Sequence, residues 1–177
     1  RLLLARLFSR PANVLVLEAY EPLGEVSSRA KKCYALLGEL KRNVEAISRA
    51  LDNRGKENAR MMHASDDLLE NMNGFAALWP NDSAYVTQCA ETKRAALLLN
   101  GELNQTPWQW LRVRWSFTNL LKDVRAFRPY AKEVADKEPK PYAVYSKEGQ
   151  VTYKDAPDTS VDAEALAPDA RLDREGA

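Results

Sequence analysis

The sequence predicts an all-α protein, an up-and-down four-helix bundle with extended N- and C-terminal arms. Two observations carry that prediction. Four segments place apolar or small residues at alternating spacings of four and three, which line up as one stripe on a helix turning about 100° per residue. Prolines, glycines and capping residues punctuate the chain between those segments, as helix boundaries require. The 177 residues suit one domain of roughly 100–150 residues with extensions, enough to bury a core without disulfides or metals.

The first stripe is Val26, Ala30, Cys33, Leu37, Leu40, Val44, Ile47 and Leu51. It predicts a helix from Gly24 to Asn53, with Lys31, Lys32, Glu39, Lys41, Arg42 and Glu45 mostly off the buried face. Asn53-Arg54-Gly55 closes it, because glycine takes the left-handed conformation that ends helices. A second helix is predicted from Lys56 to Leu78 on the stripe Met61, Ser65, Leu68, Met72, Phe75 and Trp79, ended by Pro80. Asn81, Asp82 and Ser83 are good N-cap types and open a third helix with Tyr85, Cys89, Thr92, Ala96, Leu99 and Leu103 on one face. The loop is short, so helices two and three should be antiparallel neighbours. Thr106-Pro107 makes a cap and first-turn pair for a fourth helix bearing Trp110, Val113, Phe117, Leu120, Val124 and Phe127, with Pro129 expected to stop it. A short helix is expected over Tyr130 to Lys137.

Beyond Pro139 and Pro141 the pattern changes to period two, with Tyr142 and Val144 on one side and Ala143 and Tyr145 on the other. Lys147-Glu148-Gly149 follows, then Val151 and Tyr153, which predicts a small hairpin or an extended arm. From Asp155 onward only Val161, Leu166 and Leu172 are large and apolar, too few to order that tail alone. The organisation expected is a basic N-terminal segment over 1–23, the bundle over 24–128, a short helix and arm over 129–154, and an acidic tail over 155–177. Both terminal segments, Arg1 to Leu23 and Pro139 to Ala177, are expected to be ordered chiefly by other subunits.

Composition narrows function by exclusion. With 26 Lys+Arg against 25 Asp+Glu, the chain lacks the concentrated positive charge that a phosphate backbone selects, so no nucleic-acid partner is expected. The longest apolar candidate, Ala12 to Ala19, is far short of the roughly 18 residues that cross a bilayer. Arg1 to Arg10 hold three arginines, four leucines, a phenylalanine and no acid, a composition of organelle-targeting segments or basic docking helices. Without an initiator methionine, a start set by processing or trimming is expected. Cys33 and Cys89 are the only cysteines. They read either as small buried hydrophobes or, in an oxidising compartment, as one bridge between distant segments.

No set of residues assembles a nucleophile, a base and an orienting group, and there is no glycine-rich phosphate loop. His63, the single histidine, has Asp66 and Asp67 one turn on. Those acids are explained by the favourable dipole in the first half of the helix, and His63 with Cys33 and Cys89 has no metal-ligand spacing. No catalytic, cofactor or metal residue is therefore assigned. Partner contacts are assigned to Trp108, Trp110 and Arg112, where tryptophans crowd a basic stretch (Arg112, Arg114, Lys122, Arg125, Arg128), and to Tyr142, Tyr145 and Tyr153 on the arm. At i and i+2 of a helix, Trp108 and Trp110 should point in different directions, one to the core and one outward.

Three pieces carry a family resemblance: Pro22-Leu23-Gly24-Glu25 leading into a long helix, the Trp79-Pro80 junction, and Pro141-Tyr142-Ala143-Val144-Tyr145. In these the chain resembles the extrinsic Q-type subunits of photosystem II, four-helix bundles of the chloroplast thylakoid lumen that cap the membrane-embedded core. The arm follows the bundle here, whereas in that family it precedes the bundle. The resemblance implies a non-catalytic accessory subunit, without a cofactor, that stabilises a large membrane complex and is peripheral to the membrane. The arginine-rich N-terminus supports a competing expectation, an accessory subunit of a mitochondrial respiratory complex or ATP synthase. A third is an enzyme with an unrecognised site.

Overall fold

The computed structural model describes residues 14–53 and 55–157. Four helices, α1 (Ser28–Asp52), α2 (Asn58–Leu78), α3 (Ser83–Leu103) and α4 (Trp110–Lys137), precede a hairpin of β1 (Tyr142–Tyr145) and β2 (Val151–Lys154). Each helix packs on its sequence neighbour and α4 also packs on α1, while across the diagonal the Phe75 ring of α2 and the Phe127 ring of α4 meet edge-on at 4.9 Å. That is a closed up-and-down bundle. The tail from 158 onward and the basic residues 1–13 lie outside the described residues.

The four stripes become the core. Within the helices every stripe residue is buried except Trp110, which is half-buried, and Val26, half-buried, sits just before α1. Cap chemistry decides the boundaries. Ser27 is the N-cap of α1, its hydroxyl accepting from the Ala30 N–H at 3.2 Å, so α1 begins later than Gly24. Asp82 caps α3 by accepting from the Tyr85 N–H at 3.1 Å, as its side-chain type predicts. Gly55 has φ +87° in the α1–α2 connection, the left-handed value expected there, and α2 starts at Asn58 rather than Lys56.

Two expectations about α4 are corrected. The Thr106–Pro107 bond is cis, and the helix begins three residues later, at Trp110 with Gln109 as N-cap. Pro129 does not stop it: α4 runs unbroken to Lys137, absorbing the separate short helix and extending the bundle past 128. A proline inside a helix deletes one N–H donor and crowds the carbonyl four residues back. Pro129 and Arg125, whose carbonyl is released, are both exposed, so water can satisfy that carbonyl. Meanwhile Phe127, Ala131 and Ala135 on the opposite side are buried and hold the helix to the core.

The N-terminal segment is a further correction. Residues 14–23 lack helix or strand but pack along α1 and α4, which pack on each other less closely than the other neighbouring pairs. Leu17 is buried, its N–H donating to Glu45 Oε1 of α1 at 3.3 Å. The Glu18 carbonyl accepts from Arg128 Nη2 of α4 at 2.5 Å. Arg128 and Lys132 lie over the Tyr20 ring, at 4.7 and 5.9 Å from its centroid. This strap therefore completes the chain's own core rather than waiting for another subunit.

Candidate functional site

Three surfaces of the fold gather side chains that chemistry or recognition can use. The first is a cleft of about 430 Å³ between the strap, the start of α1 and the end of α4. Small residues make the space: Ser27, Ala30 and Ala135 line it where bulkier side chains would fill it. Tyr34, buried, donates its hydroxyl to Asp136, which also accepts from Lys132 Nζ at 2.7 Å. Burial and the Asp136 hydrogen bond push the Tyr34 phenol well above its ordinary value. Burial works to raise the Asp136 carboxyl, but the bonds from Lys132 and Tyr34 outweigh it and hold the group below the usual carboxylate range. At neutral pH the phenol is protonated and the carboxylate ionised, each already satisfied by the other, so none of these groups is poised as a base. Beside them Glu138 accepts from the Trp79 indole and lies 3.6 Å from Arg29 Nε.

Two cysteines complete that end of the core. Cys33 and Cys89 are free and buried. Burial is the main cause that pushes the thiols up, to about 12 and about 11 respectively. A thiol in that state is a poor nucleophile and a poor ligand. His63 is exposed on α2, and among the described residues no group of three or more His, Cys, Asp and Glu side chains could hold a metal ion.

The second surface is the arm. β1 and β2 pair antiparallel with Ala143 opposite Tyr153 and Tyr145 opposite Val151, so Tyr145, Val151 and Tyr153 share one face while Tyr142 lies on the other. All four are exposed. Gly149, at φ +82°, turns the chain, its N–H donating to the Ser146 carbonyl at 3.0 Å. The arm returns to the bundle at Asp155, which accepts from the Ser28 N–H at 2.9 Å. That bond satisfies a donor of the first turn of α1 that has no helical partner, and it is the main reason the Asp155 carboxyl is held below its ordinary value.

The third surface lies at the opposite pole, where α3 ends and α4 begins. Trp108 and Trp110 do not diverge as expected: Trp108 precedes the helix, both are half-buried, and their rings meet edge-on at 5.6 Å. The Trp108 indole donates to the Leu103 carbonyl at 2.6 Å, which satisfies a carbonyl of the last turn of α3. Arg112 is exposed, 3.6 Å from Glu102. Trp79 belongs to the other pole, packed edge-on against Tyr85 at 5.0 Å.

Of the five residues in the basic stretch, Arg112, Arg114, Lys122 and Arg125 are exposed and Arg128 is not. It is buried beneath the strap with its Nε lacking a hydrogen-bond partner. Burial lowers its guanidinium from the usual value, while Tyr20, Glu45 and Glu18 pull it back. The strap clamp formed by Glu45 and Arg128, and the outward Leu111 and Trp115, were missed in the sequence. For the latter a signal existed: Leu111, Trp115, Thr118, Lys122 and Arg125 form a second stripe at four-three spacing, off the core stripe.

No helix among the described residues is long and apolar enough to cross a membrane. No protein-family model, curated protein or solved structure matches the chain.

Proposed function

We propose that the chain is a non-catalytic accessory subunit that attaches, from outside the bilayer, to a membrane-embedded energy-converting complex of an organelle. The observation that supports this most is the arm. An isolated two-stranded hairpin is marginal in water, and this one exposes Tyr142, Tyr145, Val151 and Tyr153 with no core of its own. Tyrosines of that kind supply large contact area with few rotors to freeze, and unpaired strand edges invite a further strand. Such an arm costs stability in a lone molecule and gains it on a partner.

Within that class, a thylakoid-lumenal subunit of photosystem II is favoured by the three motif pieces around Gly24, Trp79 and Tyr142. A mitochondrial respiratory or ATP synthase subunit is favoured by the arginines of the first ten residues. Native electrophoresis of gently solubilised thylakoid and mitochondrial membranes distinguishes the two. Stoichiometric co-migration with a large complex is expected, and Tyr145→Ala with Tyr153→Ala should weaken it at least about tenfold while bundle melting stays unchanged. A protein that migrates alone in both preparations, or an assembly indifferent to those tyrosines, would count against the proposal.

A further inference from the structure

Half of the hairpin's backbone groups have no partner within it. The Ser146 N–H donates to the Gln150 carbonyl at 2.9 Å, and the register pairs Val144 with Thr152 and Tyr142 with Lys154. Hydrogen-bonded and non-hydrogen-bonded pairs alternate along an antiparallel ladder. Counting back from Ser146, the N–H and C=O groups of Val144 and Tyr142 turn toward β2, and those of Ala143 and Tyr145 turn away from it. Two donors and two acceptors, repeating about 7 Å apart along β1, therefore face out from the sheet. β1 packs on β2 and on no other described element.

The two edges of the hairpin differ. β2 closes on Lys154, a residue type that blunts exposed edges, and on Asp155, which the Ser28 N–H ties to the start of α1 at 2.9 Å. β1 has no charged residue from Pro141 to Ser146. Pro141, lacking an N–H, ends the outward pattern on the bundle side and confines pairing to Ala143 and Tyr145. Side chains shape the same edge. Ala143 lies directly across from Tyr153 and shares a face with it and with Tyr145, two residues on. A small residue between two exposed tyrosines leaves room there for a large side chain.

We propose that the β1 edge receives a third strand, an extended segment of the subunit on which the chain assembles, with apolar residues two apart on the tyrosine face and a large one over Ala143. This rests on the accessory-subunit reading and names what the arm grips. Extended backbone is what matches donors and acceptors at that repeat, and side chains at period two then supply specificity. A third strand also takes the hairpin beyond the two-stranded state that is marginal in water. A second copy of this chain fits less well. Self-pairing over so short a strand buries roughly a few hundred Å², whereas stable interfaces bury about 1,200–2,000 Å²; a subunit that holds the chain by further contacts supplies the difference.

The test removes one outward N–H. Ala143→Pro deletes a donor that points away from β2, and proline is tolerated on an edge strand whose N–H faces solvent. The Hα–Hα contact between Tyr145 and Val151, directly opposed across the hairpin, should persist in its nuclear Overhauser spectrum and exclude a broken hairpin. In membranes carrying this variant in place of the native chain, the fraction that co-migrates with the large complex on native electrophoresis should fall at least about tenfold. For the native chain, the peptide spanning Tyr142 to Tyr145 should gain amide protection on assembly, while the isolated full chain is monomeric by light scattering and exchanges the Tyr145 amide freely. Co-migration that Ala143→Pro leaves intact overturns the third strand, yet the accessory reading stands if Tyr145→Ala with Tyr153→Ala still weakens assembly. A native chain that co-migrates with nothing overturns both. No gain of protection on assembly overturns the proposal, and so does loss on Val151→Pro without loss on Ala143→Pro, which would put the partner on β2. A Tyr145 amide already protected in the isolated chain would give the edge to a second copy or to this chain's own residues, and would overturn it too.

Discussion

Cys33 and Cys89 illustrate how burial sets chemistry at a single side chain. Each sits on a stripe whose residues are all buried within its helix, and the Cys33 Sγ is 3.6 Å from the Ala131 carbonyl, to which it donates. With the thiols pushed from 9.0 to about 12 and about 11, the folded chain holds them protonated. The linkage follows: below pH 9 folded and unfolded chains are both protonated and the contribution is fully present. As pH rises from 9 toward 11 and 12 the unfolded chain ionises first, and stability is lost. At pH 8 a water-soluble alkylating reagent should leave both cysteines unmodified in the folded chain and modify both in denaturant, read by mass. Rapid modification of the folded chain at that pH would show that the thiols are reachable. Arg128 is the opposite case, a charge kept beneath the strap because Glu18 and Tyr20 compensate it; a buried charge without such partners is strongly destabilising.

Among the elements, α4 is the one whose local signals conflict with its packing. Pro129 predicts a break, yet the helix continues for eight residues past it to Lys137, because Ala131 and Ala135 bury against the core and the carbonyl released belongs to an exposed residue, Arg125. The proline then costs helix stability without changing topology. Pro129→Ala restores the N–H and removes the ring clash, worth ~3 kcal/mol in a helix interior, but gives back some freedom to the unfolded chain. A net gain of about 1–3 kcal/mol in chemical denaturation is expected. Unchanged or lower stability would mean that the residues after Pro129 are held independently of helical continuity. The hairpin has no such support: its one hydrogen bond to the bundle among those described is Asp155 to Ser28, which suits an element whose ordering belongs to a partner.

At the scale of the whole molecule, the strap and the arm are two extensions with opposite fates. The strap contributes a buried leucine, worth about 1.5–3 kcal/mol when fully removed from water, and two hydrogen bonds to side chains that are themselves buried. The arm contributes exposed tyrosines. In the isolated chain, amide exchange should therefore find the Leu17 N–H protected with the helices, since opening it requires undoing the Glu45 contact. The amides of Tyr142 to Lys154 should exchange faster than those of the core helices. Equal protection of strap and arm, in either direction, would contradict this division.

The sequence by itself determined the four bundle helices and the face each one buries, and it left the return of the chain after Pro141 open between a hairpin and an extended arm. The helices and their faces follow from spacing and capping, local properties that a helix turning every 3.6 residues converts directly into geometry. Tertiary structure alone decided what local rules contradict or leave open. It carried α4 through Pro129, because core burial outweighs one lost hydrogen bond. It folded residues 14–23 onto α1 and α4, because Glu45 and Arg128 meet there from helices 83 residues apart in sequence. It also left Leu111 and Trp115 of α4 outside the core that the stripe beside them fills.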